Sequence, residues 1–182
     1  MERLLITGAS GLLGANLLLT ARASHQLIAV SHRHRLHLDG AKCIQADLAE
    51  PETARELIRM HRPQAIVHCA ALTDVDVCEE HPDRAERLNA EAPGWLAEAC
   101  AATGTRLIHI STDAVFDGER GNYAEGDVPR PVNTYGASKL RGEQAVLSAN
   151  PSALVIRTNI FGWNSQPKLS LSEWFLGRLR RG

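Results

Sequence analysis

The chain has 182 residues, 44% of them hydrophobic and 23% charged, a composition and length that suit a globular domain with a real core. A formal net charge of −1 offers no basic excess, which argues against nucleic acid or an anionic membrane as partner. No apolar run approaches the roughly 20 residues that a membrane span needs.

The opening MERLLITGASG turns from a short apolar run directly into a glycine loop, unlike a secretory signal. Residues 3–7 (RLLIT) read as the first strand, and residues 11–23 as the helix that follows it. Between them Gly8, Gly11 and Gly14 form GxxGxxG, a variant of the dinucleotide fingerprint. Missing side chains let backbone approach a pyrophosphate, and the helix amino terminus stabilises its charge. Gly8, Ser10, Gly11, Leu12, Leu13 and Gly14 are therefore the expected cradle. The alternative is a tight strand–helix turn with close packing at Gly14.

A second strand at 26–30 is followed by SHRHRLH. An NAD site usually places an acid here to bind the ribose 2′-hydroxyl. This chain offers Ser31, Arg33 and Arg35 instead, so a 2′-phosphate could be held by either arginine. NADP is the favoured cofactor, with NAD as the alternative. His32, His34 and His37 lack a nearby acid or thiol that would complete a ligand set, so no metal is assigned. A third strand (42–46) leads into Asp47 and Leu48. A carboxylate there can accept a hydrogen bond from an adenine amino group, or serve the start of the helix at 51–61. That helix opens on Pro51, an acceptable first-turn residue.

A fourth strand (65–70) brings small residues, Ala70 and Ala71, then Leu72, to where a cofactor could lie against backbone. A helix at 82–103 and a fifth strand at 106–111 follow. The loop 113–133 is rich in Gly and Pro, and long loops at the carboxyl ends of parallel strands are where ligands bind. The helix at 134–149 stops at Asn150-Pro151. It carries Tyr135 and Lys139 one turn apart, on one face. A cation beside a phenol lowers its pKa and makes it a usable proton donor or acceptor. An ordinary exposed helix is the alternative. A sixth strand is expected at 153–157. Strand–helix alternation with near-continuous apolar strands predicts an α/β doubly wound parallel sheet, the Rossmann fold. Four cysteines, Cys43, Cys69, Cys78 and Cys100, form no CxxC pair. They read as reduced thiols of a cytoplasmic protein.

The motifs TGASGLLG, ADL, CAALTDVDVCE, ISTDAVFDG, PVNTYGASKLRGE and VIRTNIFG occur in this order. Together they resemble the extended short-chain dehydrogenase/reductases, and within them the dTDP-4-dehydrorhamnose reductase group. The resemblance implies a Rossmann domain, here residues 1–162, and a smaller substrate domain of which 163–182 would be the start. It implies a catalytic Thr112, Tyr135 and Lys139, with Lys139 also holding the nicotinamide ribose. Asp113 and Asn159 become candidate substrate contacts. Ser111 should point away from the site by strand alternation. The implied activity is NADP(H)-dependent reduction of a 4-keto nucleotide sugar. An epimerase or dehydratase, or a non-catalytic NADP-binding regulatory subunit, remain alternatives. Family members usually continue for about another hundred residues, a size in keeping with a second domain. The chain is therefore expected to be a piece of a longer protein. Leu169, Leu171, Trp174, Phe175 and Leu179 form an apolar helical face that is exposed, buried in a homodimer, or covered by a further domain.

Overall fold

A computed structural model of the chain describes residues 1–163 and 170–180. Leu169 and the Leu171 side chain lie outside the described residues. Six strands form one parallel sheet: β1 (Arg3–Thr7), β2 (Gln26–Ser31), β3 (Ala41–Gln45), β4 (Ala65–His68), β5 (Arg106–Ser111) and β6 (Leu154–Arg157). Their order is β3-β2-β1-β4-β5-β6. The order reverses beside β1, which pairs with β2 on one side and β4 on the other. Chain connections leave to opposite faces at this switch point and open a crevice at the strand carboxyl ends.

Strand alternation divides the core between the two faces. Leu5, Ile28, Val30, Ile66 and Leu107 face one way, onto α2 (Pro51–His61), α5 (Ala92–Thr103) and α6 (Thr134–Ala149). Ile6, Leu27, Ala29 and Val67 face the other way, onto Leu18 of α1 (Leu12–Ala21). At the sheet edge, Leu154 and Ile156 of β6 remain exposed.

The helix expected at 82–103 is one run with a distortion. α4 (Pro82–Glu86) passes through a π-turn at Arg87–Glu91 into α5. Pro93 has no N–H to give to the carbonyl of Asn89, four residues earlier, and a wide turn accommodates that loss. Gly142 of α6 lies against the same carbonyl: a Cβ there would sit 2.0 Å from the Asn89 oxygen. One helix differs from the sequence reading. A short helix, α3 (Val75–Glu80), occupies part of the stretch after β4, capped by the Asp74 side chain. Its Glu79 carboxylate accepts from both the Thr134 backbone N–H and hydroxyl at 2.7 Å, fixing the start of α6. The last element, α7 (Leu171–Leu179), starts with a capping box between Ser170 and Glu173. Trp174, Phe175 and Leu179 are exposed on it. No helix of the described residues is long and apolar enough to cross a membrane.

Candidate active site

One cleft of about 780 Å³ lies across the carboxyl ends of the strands. Its floor is the glycine turn. Gly8 has φ +61°, a left-handed conformation that disfavours a side chain, and a Cβ there would meet the Ala70 backbone nitrogen at 2.7 Å. Gly14 does not face the cleft. A Cβ on it would lie 2.3 Å from the Gly8 oxygen, so its role is to let α1 pack under the turn. Gly11 is the N-cap of α1; no side chain caps this end and no acid sits in its first turn. Leu12 and Leu13 of that first turn line the cleft, as do Gly8, Ser10 and Gly11. An uncapped helix terminus with its amide dipoles directed at an open cleft fits a pyrophosphate, so the residues present suit a dinucleotide.

The β2 side of the cleft is formed by buried Ser31, then His32, Arg33 and His34. Arg33 is an exposed cation at this wall, whereas Arg35 is not among the lining residues. Asp47 and Leu48, which follow the neighbouring β3, line the cleft beside them. Asp47 accepts from the Ala49 N–H at 3.0 Å and pairs with His32 at 3.4 Å. It is a turn-forming acid at the cleft wall and not the α2 cap, which is Glu50.

Ala70, Ala71 and Leu72 line the next wall. Two side chains hold that segment. Thr7 Oγ1 accepts from the Cys69 and Ala70 N–H groups, both at 3.2 Å, and meets His68 Nδ1 at 2.8 Å. Asn89 accepts from the Leu72 N–H at 2.8 Å, donates to its carbonyl at 2.9 Å, and donates to Ser138 Oγ at 3.1 Å. Asn89 is buried, on the π-turn.

Thr112, Asp113, Tyr135, Lys139 and Asn159 meet at the far wall. Thr112 follows β5, where it caps a short 3₁₀ turn through the Ala114 N–H at 3.1 Å. Its hydroxyl donates to Asp113 at 3.2 Å, and Asn159 donates to the other Asp113 oxygen at 3.3 Å. Asn133 caps α6 by accepting from the Gly136 N–H at 2.7 Å, which places Tyr135 in the first turn. Tyr135 is half-buried and lies beside Thr112. Lys139 is fully buried and donates to the Ile110 carbonyl at 2.7 Å.

One expectation is corrected. Burial pushes the Tyr135 phenol above its ordinary value, against the lowering by its Thr112 hydrogen bond, and Lys139 does not bring it down. The Lys139 ammonium is itself pushed down to about 8, mainly by burial, with Glu143 acting to raise it.

Several functional neighbours carried no signal in the sequence reading. Glu143, buried on α6, accepts from Ser111 Oγ at 2.5 Å and is chelated by Arg157, with Nε–Oε1 at 3.0 Å and Nη2–Oε2 at 2.7 Å. Ser111 thus points away from Thr112, as alternation requires. Arg157 also lies over the Phe116 ring, which stacks on Tyr123 and in turn on Arg120, so the long loop is braced. His68 and His109 stack with ring centroids 5.3 Å apart. Burial pushes His68 down to about 3 and His109 further still, so both are neutral. The four cysteines are free thiols.

The RmlD substrate binding domain family model matches residues 1–167. A probable low-salt glycan biosynthesis reductase of Haloferax volcanii is 38% identical, over 97% of this chain and 60% of its own length. Methionine adenosyltransferase 2 subunit beta of Bos taurus is 43% identical over 86% of this chain and 46% of its own. The dTDP-4-dehydrorhamnose reductase of Mycobacterium tuberculosis is 44% identical over 86% and 49%. The chain thus spans about half to 60% of the length of these relatives. Among solved structures, a Bacillus anthracis dTDP-4-dehydrorhamnose reductase in complex with NADP superposes with a TM-score of 0.80 at 29% identity, covering 100% of this chain and 60% of that one. MoeE5 in complex with UDP-glucuronic acid and NAD gives 0.82 at 28% identity, covering 98% and 60%.

Proposed function

The chain belongs to the RmlD substrate binding domain family, and on that premise we propose that it holds NADP(H) and serves a reductase of a 4-keto nucleotide sugar. The observation that carries this reading is the convergence of Thr112, Tyr135 and Lys139 on one wall of a cleft whose floor is an uncapped, glycine-lined helix terminus. The reductase and NADP-bound relatives support it. A nicotinamide, when bound, supplies the two-electron reducing equivalent to the carbonyl carbon. The chain's own residues orient and protonate. Thr112 Oγ1 and Tyr135 Oη hydrogen-bond the carbonyl oxygen and fix its position. Tyr135 then gives its proton to that oxygen. Lys139, anchored on Ile110, presents its buried charge beneath the site. Asp113, braced by Thr112 and Asn159, is placed to accept from a sugar hydroxyl. Ser31 and Arg33 would read the 2′-phosphate.

Parallel titrations of the chain with NADPH and NADH test this. NADPH is expected to bind more tightly, and Arg33→Asp to cost NADPH at least tenfold while leaving NADH nearly unchanged. Equal losses for both would remove Arg33 from phosphate recognition. Binding of neither would sink the reading. A keto nucleotide sugar should then drive stoichiometric NADPH oxidation. A second reading is a binding subunit without turnover, favoured by the 43% identity to methionine adenosyltransferase 2 subunit beta. It predicts tight NADPH binding with no oxidation of the cofactor.

A further inference from the structure

We propose that Glu143 is a positioning residue for Lys139: its buried carboxylate, fixed by Arg157 and Ser111, is the counter-charge that lets the ammonium stay charged inside the protein. The role of Lys139 in reduction rests on the function proposed above; the electrostatic link itself does not.

Three consecutive residues at the end of β5 each take one residue of α6. The Ile110 carbonyl accepts from Lys139. The Ser111 hydroxyl donates to Glu143. Thr112, the residue after the strand, lies beside Tyr135. Residues 135, 139 and 143 are spaced by four, so they form one stripe of the helix, and β5 is laid along that stripe. Arg157 enters from β6, where it is the register partner of Ser111. It grips both oxygens of Glu143 in a bidentate pair, which fixes the carboxylate's orientation.

The need for a counter-charge follows from what else faces Lys139. From β4 and its end come His68 and Cys69, from β5 His109, and from α6 Tyr135 and Glu143. Both histidines are neutral because burial pushes them down. The Cys69 thiol is pushed up to about 12, and Tyr135 is also raised. Each is uncharged near neutral pH. Glu143 is the buried carboxylate one turn along the same helix face, and its partner Ser111 adjoins Ile110, the partner of Lys139; from there it acts to raise the ammonium. An ammonium taken out of water without a partner loses its proton. Glu143 opposes that loss.

The chain contains three lysines, Lys42, Lys139 and Lys168, so [ε-13C]lysine labelling gives three resonances, assigned with Lys42→Arg and Lys168→Arg. Their chemical shifts are followed against pH in the full chain without cofactor. Lys139 is expected to titrate near 8. Glu143→Gln should lower that midpoint by about one unit or more, a tenfold change in the acid constant, the usual size for an opposite charge nearby. Glu143→Asp, which keeps the charge, should return it toward the wild-type value. Glu143→Gln leaves Arg157 unpaired, so Glu143→Gln/Arg157→Gln is the companion that removes both charges; a midpoint lowered in Glu143→Gln but restored in the double variant would assign the shift to the freed guanidinium and overturn the proposal. An unchanged midpoint in a folded Gln variant would overturn the proposal, because a merely structural Glu143 would alter melting and leave Lys139 alone. A wild-type Lys139 midpoint below neutrality would overturn it without any variant. The readout needs no dinucleotide, so failure to bind NADPH with a shifting midpoint would reject the proposed function and leave this link standing.

Discussion

Gly14 and Gly11 sit three residues apart in one motif, yet the structure gives them opposite jobs. Replacing Gly14 by Ala puts a methyl group 2.3 Å from the Gly8 oxygen and 2.9 Å from the Ala9 Cα, all backbone that has nowhere to go. To relieve the contact α1 must move outward by about 1 Å, an overpacking cost near the top of the usual range of about 1–3 kcal/mol. Alanine recovers about 1 kcal/mol of helix propensity over glycine. The net loss is about 2 kcal/mol, a large part of a domain's typical stability of about 5–15 kcal/mol. Gly11→Ala differs. Its φ of −79° suits any residue, and its Cβ meets only the Gly8 oxygen, at 3.2 Å. It should unfold within about 1 kcal/mol of wild type, the cost of a poorer cap. Its methyl, however, projects into the cleft where a pyrophosphate would touch backbone. Urea unfolding followed by circular dichroism measures the first effect, and NADPH titration by fluorescence the second. The expected pattern is Gly14→Ala unstable, and Gly11→Ala stable but at least tenfold weaker for NADPH. If Gly14→Ala matched wild type in stability while Gly11→Ala bound NADPH normally, the assignment of packing to one glycine and ligand approach to the other would be refuted.

Asn89→Ala removes three hydrogen bonds at once and leaves the partly buried Leu72 N–H without this partner. An unsatisfied buried donor costs about 1–3 kcal/mol, so unfolding free energy should fall by about 2–4 kcal/mol once the lost volume is added. A loss below about 1 kcal/mol in the same urea assay would mean that the 70–73 segment does not depend on this side chain. The buried His68–His109 pair sets an acid limit. Their folded-state values lie below the unfolded value of about 6.5, so the unfolded chain binds more protons and stability present above pH 6.5 is lost as pH falls toward 3. Each contributes up to about 1.4 kcal/mol per pH unit, and His109→Leu should flatten the slope by about that amount. Parallel slopes for wild type and variant between pH 6.5 and 4 would count against the pair.

The fold was legible because its signals are local. Six apolar strand runs, the glycine turn and the Asn150-Pro151 stop all rest on neighbouring residues, and the strands fell within a residue or two of the readings. The cleft residues were legible for the same reason: a parallel sheet sends every strand end to one edge. What escaped depends on long-range pairing. Asn89 gives no sign of importance in RLNAE; it acquires its role only because a π-turn aims it at Leu72, 17 residues away. Glu143 and Arg157 look like ordinary surface charges until β6 pairs with β5. α3 escaped because six residues are too few to carry a helical period. Tyr135 was misjudged in sign because the sequence displays the nearby lysine and conceals the burial.

That sign bears on the direction of chemistry. A phenol raised by burial is protonated at neutral pH in the free chain. Carbonyl reduction ends with a proton on oxygen, so the form of Tyr135 that the chain holds is the one reduction consumes. Oxidation of a hydroxyl, the opening half-step of an epimerase, instead needs the phenolate, and the chain's own groups oppose it: burial, Cys78 and Asp113 all raise the phenol, and only the Thr112 hydrogen bond lowers it. Lys139 lies one turn along the same face with its ammonium hydrogen-bonded to the Ile110 carbonyl, and it is not among the groups that lower the phenol. A protonated Tyr135 beside Thr112 thus accords with the reduction proposed above.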